Sequence, residues 1–100
     1  MAADKKLPCL RSTTNDASHF LRLVSNRDRL ALLCELSEGE LGVSELETRT
    51  AIRQPSLSQQ LGILRRDGVI APRKEGKQVF YRIEDQRVMP VLELLDELYR

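Results

Sequence analysis

The chain has 100 residues, of which 41% are hydrophobic and 4% aromatic with no Trp, so one small domain with an aliphatic core is expected. No apolar run approaches the roughly 18–20 residues that a membrane span needs, and the N-terminus lacks the apolar core of a signal peptide. Two cysteines 25 positions apart are too few for a disulfide scaffold. The composition therefore predicts a soluble cytoplasmic protein, with no membrane partner and with reduced thiols.

Charge is distributed unevenly along the chain. The net charge is +1, but residues 49–82 carry +6, from eight basic and two acidic side chains. A polarised positive block is typical of a protein with a polyanion partner, although basic blocks are often only solvated surface. Charge alone therefore leaves two interpretations open, a nucleic-acid interface and a plain solvated surface.

The first half of the chain predicts a flexible tail and three helices. Residues 1–12 are expected to be the tail, and residues 13–100 the folded domain. Apolar residues recur at helical spacing over 17–24, and RLALLCELSE predicts a second helix after the capping residues SNRD. A third, short helix is expected over about 44–50.

The second half of the chain predicts a fourth helix, a hairpin and a last helix. In QPSLSQQLGILRRDGVI, residues 54–70, the leucines form a buried stripe and Gly68 is the expected left-handed cap. In VIAPRKEGKQVFYRI the residues alternate around a turn that contains Gly76, which predicts two strands. Helical spacing returns over 88–99. The expected fold is mainly α with a β-hairpin wing, in the order α-α-α-α-β-β-α.

The third and fourth helices fit a helix-turn-helix, whose second helix enters the major groove of DNA. Gln and Ser side chains match base edges without bulk, and Gln59 and Gln60 could read adenine through paired amide bonds. Arginines and the basic hairpin would neutralise phosphates. The alternative for these side chains is a plain polar surface. The candidate DNA-binding residues are Gln54, Ser56, Ser58, Gln59, Gln60, Arg65, Arg66, Arg73, Lys74, Lys77 and Tyr81.

Four motifs in this order, LVSNRDRLALLCEL, ELGVSELE, QPSLSQQLGILRRDGVI and RKEGKQVFYRI, resemble the ArsR/SmtB-type winged-helix repressors over about residues 17–99. The resemblance implies a winged helix-turn-helix homodimer joined by its first and last helices, with the 73–82 hairpin as the wing. Such a dimer would place two recognition helices about one DNA turn, roughly 34 Å, apart on a near-palindromic operator. The candidate interface residues are Phe20, Val91, Leu92, Leu95, Leu98 and Tyr99.

Metal sensing is common in the family that the chain resembles, but the residues at the familiar positions do not favour it. Positions that carry cysteine ligands on the third helix are Gly42 and Ser44 here, and the last helix has acids but no His. We therefore expect no metal site and no cofactor. His19, the single histidine, is expected at the surface or at the dimer interface.

The closer resemblance is to the BigR/HlyU-like branch, which responds to sulfide and oxidants. Cys34 matches the second-helix cysteine of that branch, whereas its usual second cysteine, after the last helix, has no counterpart before Arg100. One hypothesis is that Cys9, in the cationic segment KKLPCLR, is oxidised or persulfidated and then resolved by Cys34, with sulfide/polysulfide or peroxide as the class of effector. Burial and neighbouring glutamates would make Cys34 a slow nucleophile. The alternative is that Cys34 is a small core hydrophobe and Cys9 an idle thiol.

The sequence thus predicts a DNA-binding transcriptional regulator, a repressor, that binds its operator as a homodimer and is released by thiol oxidation or persulfidation. An enzyme is not expected, since the chain has one His and lacks a phosphate loop or a nucleophile elbow. Two alternatives remain at this point. One is a constitutive or metal-responsive repressor without a thiol switch, and the other is a winged helix that contacts proteins.

Overall fold

A computed structural model of the chain describes residues 8–100, with side chains described from Leu10 onward. The predicted order of elements is confirmed, with one added helix (α1) and one added strand (β1). Within the described residues the elements are α1 (Pro8–Ser12), α2 (Thr14–Ser25), α3 (Arg27–Leu36), β1 (Leu41–Gly42), α4 (Val43–Thr50), α5 (Ser56–Arg66), β2 (Ile70–Glu75), β3 (Gln78–Ile83) and α6 (Val88–Tyr99).

The short helix α1 lies in the segment for which a flexible tail was expected. Because residues 1–7 lie outside the described part of the chain, the division into a tail and a domain stays a prediction. The side chain of Cys9 lies outside the described residues as well, although its backbone belongs to α1.

The predicted hairpin is confirmed and is part of a three-stranded antiparallel sheet with the order β1-β3-β2. Ile70 pairs with Ile83 at one end of the hairpin, and Glu75 pairs with Gln78 beside the turn. Gly76 occupies this turn at a φ of 61°, a conformation that favours glycine. Strand β1 pairs Leu41 with Tyr81 and leads directly into α4, so the sheet links the hairpin to the helix-turn-helix.

Helix α3 lies at the centre of the fold and contacts α2, α4, α5 and β3. Its Leu32 and Leu33 are fully buried, together with Leu46 from α4 and Leu57 and Leu64 from α5. The core is therefore built from aliphatic side chains, as the low aromatic content predicts. Among the aromatic residues, Phe20 and Tyr81 belong to this core.

Helix α5 begins at Ser56, one residue after Pro55, which the sequence places at the first helical position, and it ends as the sequence predicts. The preceding helix α4 stops at Ala51, which adopts a left-handed φ of 59°, and the chain turns there before it enters α5. At the other end, Gly68 adopts a φ of 73°, the left-handed conformation expected after the last helical turn. The helix-turn-helix therefore consists of α4, a short turn and α5.

Helix α6 is packed against the body mainly through its first half. Val88 is buried, and Val91 and Leu92 lie partly buried against the core. Further along, the exposed fraction rises to 64% for Leu98 and 83% for Tyr99. The described helices include none that is long and apolar enough to cross a membrane.

Candidate nucleic-acid interface

Helix α5 turns a polar face outward because its leucines occupy one side only. Leu57, Leu61 and Leu64 are buried, and rotation by 100° per residue places Ser58, Gln59, Gly62 and Arg66 on the opposite side. All four of these residues are exposed. The outward face therefore offers a hydroxyl and an amide at the start of the helix and a guanidinium at its end.

The three glutamines near α5 have different surroundings. The Oε1 atom of Gln54 accepts a hydrogen bond of 3.1 Å from the backbone N–H of Ser58. This bond satisfies an N–H in the first turn of α5, because Pro55, the residue before the helix, has no side-chain group that can cap it. The Oε1 atom of Gln60 accepts a bond of 2.8 Å from Nη1 of Arg29. Gln59 is exposed, and neither its amide oxygen nor its NH2 is hydrogen-bonded within residues 8–100.

Four of the predicted basic contacts are free of acidic partners. Arg65, Arg66, Lys74 and Lys77 are exposed, and none of them forms an ion pair within the described chain. Uncompensated cations on a helix and on an adjacent hairpin produce a positive surface that attracts phosphates. The geometry of these four residues supports their predicted role.

Arg73 is engaged inside the protein. Its guanidinium binds both carboxylate oxygens of Glu40, with Nη2 2.8 Å from Oε1, and also contacts Glu75 with Nη1 2.7 Å from Oε2. It lies over the ring of Phe80, 4.8 Å from the centroid. The hydrogen bond from Arg73 lowers the pKa of Glu40 below its ordinary value. Arg73 therefore connects the middle of the hairpin to Glu40, the residue before β1, and its charge is already neutralised.

Tyr81, Ser56 and Gln60 are less exposed than the other candidates. Tyr81 is 8% exposed and belongs to the core beneath the sheet, and Ser56 is half-buried. The structure thus groups Tyr81 with the residues that support the hairpin rather than with the exposed cations.

Arg53 is a residue that the sequence reasoning did not select. It is exposed beside Gln54, and its position in the basic block was the signal that could have found it.

The predicted interface residues lie along α2 and α6 with very different exposure. Phe20 is buried, and the guanidinium of Arg87 lies 4.6 Å from the centroid of its ring. Leu95 is half-buried, whereas Leu98 and Tyr99 are exposed. Between the two helices runs an apolar groove whose lining includes Ala17, Phe20, Leu21, Pro90 and Val91.

Cys34 is exposed on α3 and does not belong to the core. Partial burial raises the pKa of its thiol, and the charges of Glu35 and Asp96 raise it further. The neighbouring glutamates expected from the sequence are Glu35 and Glu38. The predicted direction of the pKa shift agrees with this result, although the second carboxylate that raises the pKa is Asp96 of α6 and not Glu38. The thiol is therefore mostly protonated at neutral pH, which slows its reactions as a nucleophile.

His19 lies at the surface, as expected. Its Nε2 atom is 3.3 Å from Oδ1 of Asp67, so the pair connects α2 with the end of α5. Within residues 8–100, no group of three or more His, Cys, Asp and Glu side chains is arranged to hold a metal ion.

Comparison with known proteins identifies related sequences. The family described as "Bacterial regulatory protein, arsR family" matches residues 26–71, a segment that contains α3, α4 and α5. A "Biofilm growth-associated repressor" of Agrobacterium fabrum is 39% identical over 93 residues, which cover 93% of this chain and 80% of the relative. The "Transcriptional activator HlyU" of Vibrio cholerae is 44% identical over 80 residues, which cover 80% of this chain and 74% of the relative.

Solved structures of related proteins have the same fold. The transcriptional repressor BigR from Xylella fastidiosa superimposes with a TM-score of 0.92 at 35% identity, covering 96% of this chain and 98% of that chain. Reduced HlyU from Vibrio cholerae gives a TM-score of 0.84 at 40% identity, with 93% and 98% covered. The winged-helix fold and the resemblance to the BigR/HlyU-like branch are confirmed.

Proposed function

Because this chain belongs to the arsR family of bacterial regulatory proteins, it is a DNA-binding transcriptional regulator and not an enzyme, and we propose that it binds a near-palindromic operator as a homodimer. Helix α5 lies in the major groove in this proposal. The β2–β3 hairpin contacts the flanking backbone. The contacts of α5 and the hairpin with DNA, and the homodimer, are proposals that go beyond membership of the family.

The observation that carries the proposal is the outward face of α5 together with its unpaired cations. Ser58 and Gln59 offer hydrogen-bonding groups without bulk at the start of the helix, where an α-helix in the major groove reaches base edges. Arg65, Arg66, Lys74 and Lys77 supply positive charge that no described carboxylate neutralises. A winged helix used only for protein contacts does not require this combination.

The proposed dimer rests on the apolar surface that one copy leaves uncovered. Leu94, Leu98 and Tyr99 of α6 are more than half exposed, and Leu21 of α2 is 57% exposed across the groove from α6. Exposed apolar side chains that are grouped on two neighbouring helices are typical of a protein–protein interface. A second copy of the chain has the same surface and can cover it in a two-fold arrangement.

DNA binding can be tested with an operator selected from a random duplex library by the purified protein. Affinity for the selected operator is expected to exceed affinity for random DNA. It is also expected to fall steeply as the salt concentration rises, because protein binding releases counterions that are condensed on the DNA. Lys77→Ala is expected to weaken binding to all sequences alike and to reduce the salt slope by about 1. Gln59→Ala is expected to reduce discrimination between operator variants instead.

The matched control is Arg11→Ala, which removes an exposed positive charge from α1 and leaves α5 and the hairpin unchanged. It is expected to retain the wild-type salt slope. Equal affinity of the wild-type protein for operator and random DNA at moderate salt would contradict specific regulation.

We propose that binding represses transcription. The relatives from Agrobacterium fabrum and Xylella fastidiosa are named repressors, whereas the Vibrio cholerae relative is named an activator. Transcription in vitro from a promoter that overlaps the selected operator is expected to decrease as the protein is added. An increase in transcript would assign an activating role.

We further propose that thiol chemistry releases the DNA. Cys34 is exposed and can be reached by a small oxidant or by another thiol. With peroxide, the thiols of Cys9 and Cys34 each lose a hydrogen, one S–S bond forms, and the peroxide is reduced to two water molecules. With polysulfide, the Cys9 thiolate attacks a sulfur of the polysulfide and keeps it as the outer sulfur of a persulfide, while the polysulfide leaves one sulfur shorter. The thiolate of Cys34 then attacks the inner sulfur of that persulfide, and hydrogen sulfide leaves as the same disulfide forms.

The thiol proposal is tested by DNA binding after treatment with peroxide, polysulfide or metal ions. Wild-type protein is expected to lose affinity with the first two, whereas Cys9→Ser and Cys34→Ser proteins are expected to remain bound. Loss of affinity with metal ions alone would favour the metal-responsive alternative. Unchanged responses in both serine variants would eliminate the switch without affecting the assignment as a DNA-binding regulator.

A further inference from the structure

One face of the three-stranded sheet carries a row of side-chain contacts that runs from the body of the protein toward the hairpin turn. Arg73 pairs with Phe80 in the hairpin register, and Phe80 pairs with Gly42 of β1. The guanidinium of Arg73 lies over the ring of Phe80, and its Nε atom is 3.1 Å from each carboxylate oxygen of Glu40, the residue before β1. The same guanidinium reaches Glu75, the last residue of β2. One side chain therefore connects the segment that enters the helix-turn-helix with the outer part of the hairpin.

The absence of a side chain at Gly42 leaves room for this arrangement. A Cβ atom at position 42 would lie 3.3 Å from Cε1 of Phe80, which is a tight contact. The ring therefore lies close to the backbone of β1 and also contacts the guanidinium of Arg73. Stacking on a ring and bidentate pairing with a carboxylate each restrict an arginine side chain, so the contacts together fix the position of Arg73.

The outer part of the hairpin extends beyond the strand that joins it to the body. Strand β1 has two residues, and they pair with Phe80 and Tyr81 of β3. The hairpin continues past these pairs to the turn at Gly76, and Lys74 and Lys77 lie in that continuation. No third strand pairs with this part of the hairpin within residues 8–100. The ion pair between Arg73 and Glu40 is placed where it can hold the continuation against the body.

The sign of one charge effect separates two roles for Arg73. The sequence predicts that Arg73 contacts DNA, and in that role Glu40 competes with a phosphate for the guanidinium. Removal of the Glu40 charge would then strengthen DNA binding, because it releases a cation toward a polyanion. If the pair instead holds the hairpin, removal of the same negative charge weakens DNA binding.

We propose that Glu40 and Arg73 are positioning residues for DNA binding, and that their bidentate pair holds the hairpin so that Lys77 meets the DNA backbone. This role rests on the proposed contact between the hairpin and DNA. Neither Glu40 nor Arg73 touches DNA in this arrangement. An acidic side chain thus promotes the binding of a polyanion.

A double-mutant cycle between Glu40→Gln and Lys77→Ala tests the proposal, with affinity for the selected operator measured by fluorescence anisotropy of a labelled duplex. Gln has nearly the shape of Glu but cannot offer two carboxylate oxygens to Arg73. Glu40→Gln is expected to weaken binding roughly threefold. Lys77→Ala is expected to weaken binding by a smaller factor in the Glu40→Gln protein than in wild type, because the hairpin no longer presents Lys77 at a fixed place.

Two matched controls separate hairpin positioning from other effects. Arg66→Ala removes a cation from α5, and it is expected to weaken binding by the same factor in wild type and in the Glu40→Gln protein. Glu38→Gln removes an equal negative charge two positions before Glu40, from an exposed side chain that forms no ion pair within the described chain. Glu38→Gln is expected not to weaken binding.

Arg73→Lys provides a second, independent variant. Lys retains the positive charge but lacks the planar fork that binds Glu40 and Glu75 together. The variant is therefore expected to reduce the effect of Lys77→Ala, as Glu40→Gln does. A phosphate contact would be largely retained by Lys, so wild-type affinity of Arg73→Lys together with stronger binding by Glu40→Gln overturns the proposal.

The remaining outcomes of the cycle are also decisive. Equal effects of Lys77→Ala in wild type and in the Glu40→Gln protein overturn the proposal although the hairpin still contacts DNA. Smaller effects of both Lys77→Ala and Arg66→Ala in the Glu40→Gln protein overturn it too, because they show a general loss of structure. If Lys77→Ala leaves the affinity of wild type unchanged, the proposed hairpin contact itself fails, and the positioning role fails with it.

Discussion

Helices α5 and α6 have nearly the same length, 11 and 12 residues, and both carry apolar side chains at helical spacing. In α5 the leucines are buried, with Leu64 fully covered and Leu61 3% exposed. In α6 the stripe is covered only at its start, and Leu94 and Leu98 are 55% and 64% exposed. The same amphipathic pattern thus leads to two different exposed surfaces, depending on how much of the apolar stripe the body of the protein covers.

The two surfaces suit two kinds of partner. The uncovered face of α5 is polar and is flanked by arginines, which suits an anion that retains much of its water. The uncovered face of α6 is apolar and suits another protein surface, since covering it removes hydrocarbon from water. The comparison supports the proposal that α5 serves DNA recognition and that α6 serves self-association.

The largest expected effect tests the buried side of α5. Leu64→Ala removes a fully buried side chain and leaves a cavity, so the free energy of unfolding is expected to fall by about 2–5 kcal/mol. Urea denaturation followed by circular dichroism measures it. The control, Ser58→Ala on the exposed face of the same helix, is expected to change stability by less than about 0.5 kcal/mol. Similar losses in both variants would remove the distinction between the two faces of α5.

The next effect tests the exposed side of α6. Leu98→Asp is expected to weaken the proposed dimer at least about tenfold, because a Leu that becomes buried contributes about 1.5–3 kcal/mol and a buried charge opposes association. Analytical ultracentrifugation over a range of concentrations measures the dissociation constant. Glu97→Gln, also exposed on α6, is the control and is expected to change it little. A monomeric mass for the wild-type protein at micromolar concentration would refute the dimer.

The smallest effect concerns the packed start of α6. Asp85 accepts hydrogen bonds from Arg87, with Nη2 2.6 Å from Oδ2, and this pairing lowers the pKa of Asp85 below its ordinary value. A lowered pKa in the folded state means that the pair stabilises the protein above the ordinary pKa of aspartate. That contribution is lost as the pH falls through the lowered value. It is expected to be below about 1 kcal/mol.

Acid titration of the melting temperature measures this contribution. Asp85→Asn is expected to show a flatter decline than wild type below about pH 4, the ordinary range of a free aspartate. Asp96→Asn is the control at the exposed end of α6, where the pair with Arg100 has a separation of 3.6 Å. An identical acid decline in wild type and Asp85→Asn would show that the start of α6 is held by its apolar contacts alone.

Much of the fold could be predicted from local patterns. The spacing of Leu57, Leu61 and Leu64 and the glycine at position 68 predict α5 and its end correctly, because side-chain burial and backbone conformation are local constraints there. The hairpin follows from alternation around Gly76 for the same reason. Strand β1 was missed, because two residues carry no periodic signal and their partners on β3 are about 40 positions away.

The candidate site shows the same limit at the level of single side chains. Gln59 and Gln60 are neighbours of the same type, and the sequence offers no reason to separate them. One step of 100° around the helix brings Gln60, and not Gln59, against Arg29, which is 31 positions earlier in the chain. The engagement of Arg73 by Glu40 is equally non-local, with 33 positions between them. Residue type can be predicted to suit DNA, but only tertiary contacts determine which groups are free to bind it.

The short strand β1 has a mechanical consequence. Strand β1 is hydrogen-bonded to β3 and continues directly into α4. The hairpin and the helix-turn-helix therefore form one unit, because the hairpin cannot move away from α4 without breaking the hydrogen bonds between β1 and β3. In the proposed dimer, two such units are joined through α6, which is separated from α5 in the sequence by the hairpin. A signal that releases DNA would then change the angle between the two units. A small rotation at the α6 interface would move both recognition helices away from the spacing of one turn of the duplex.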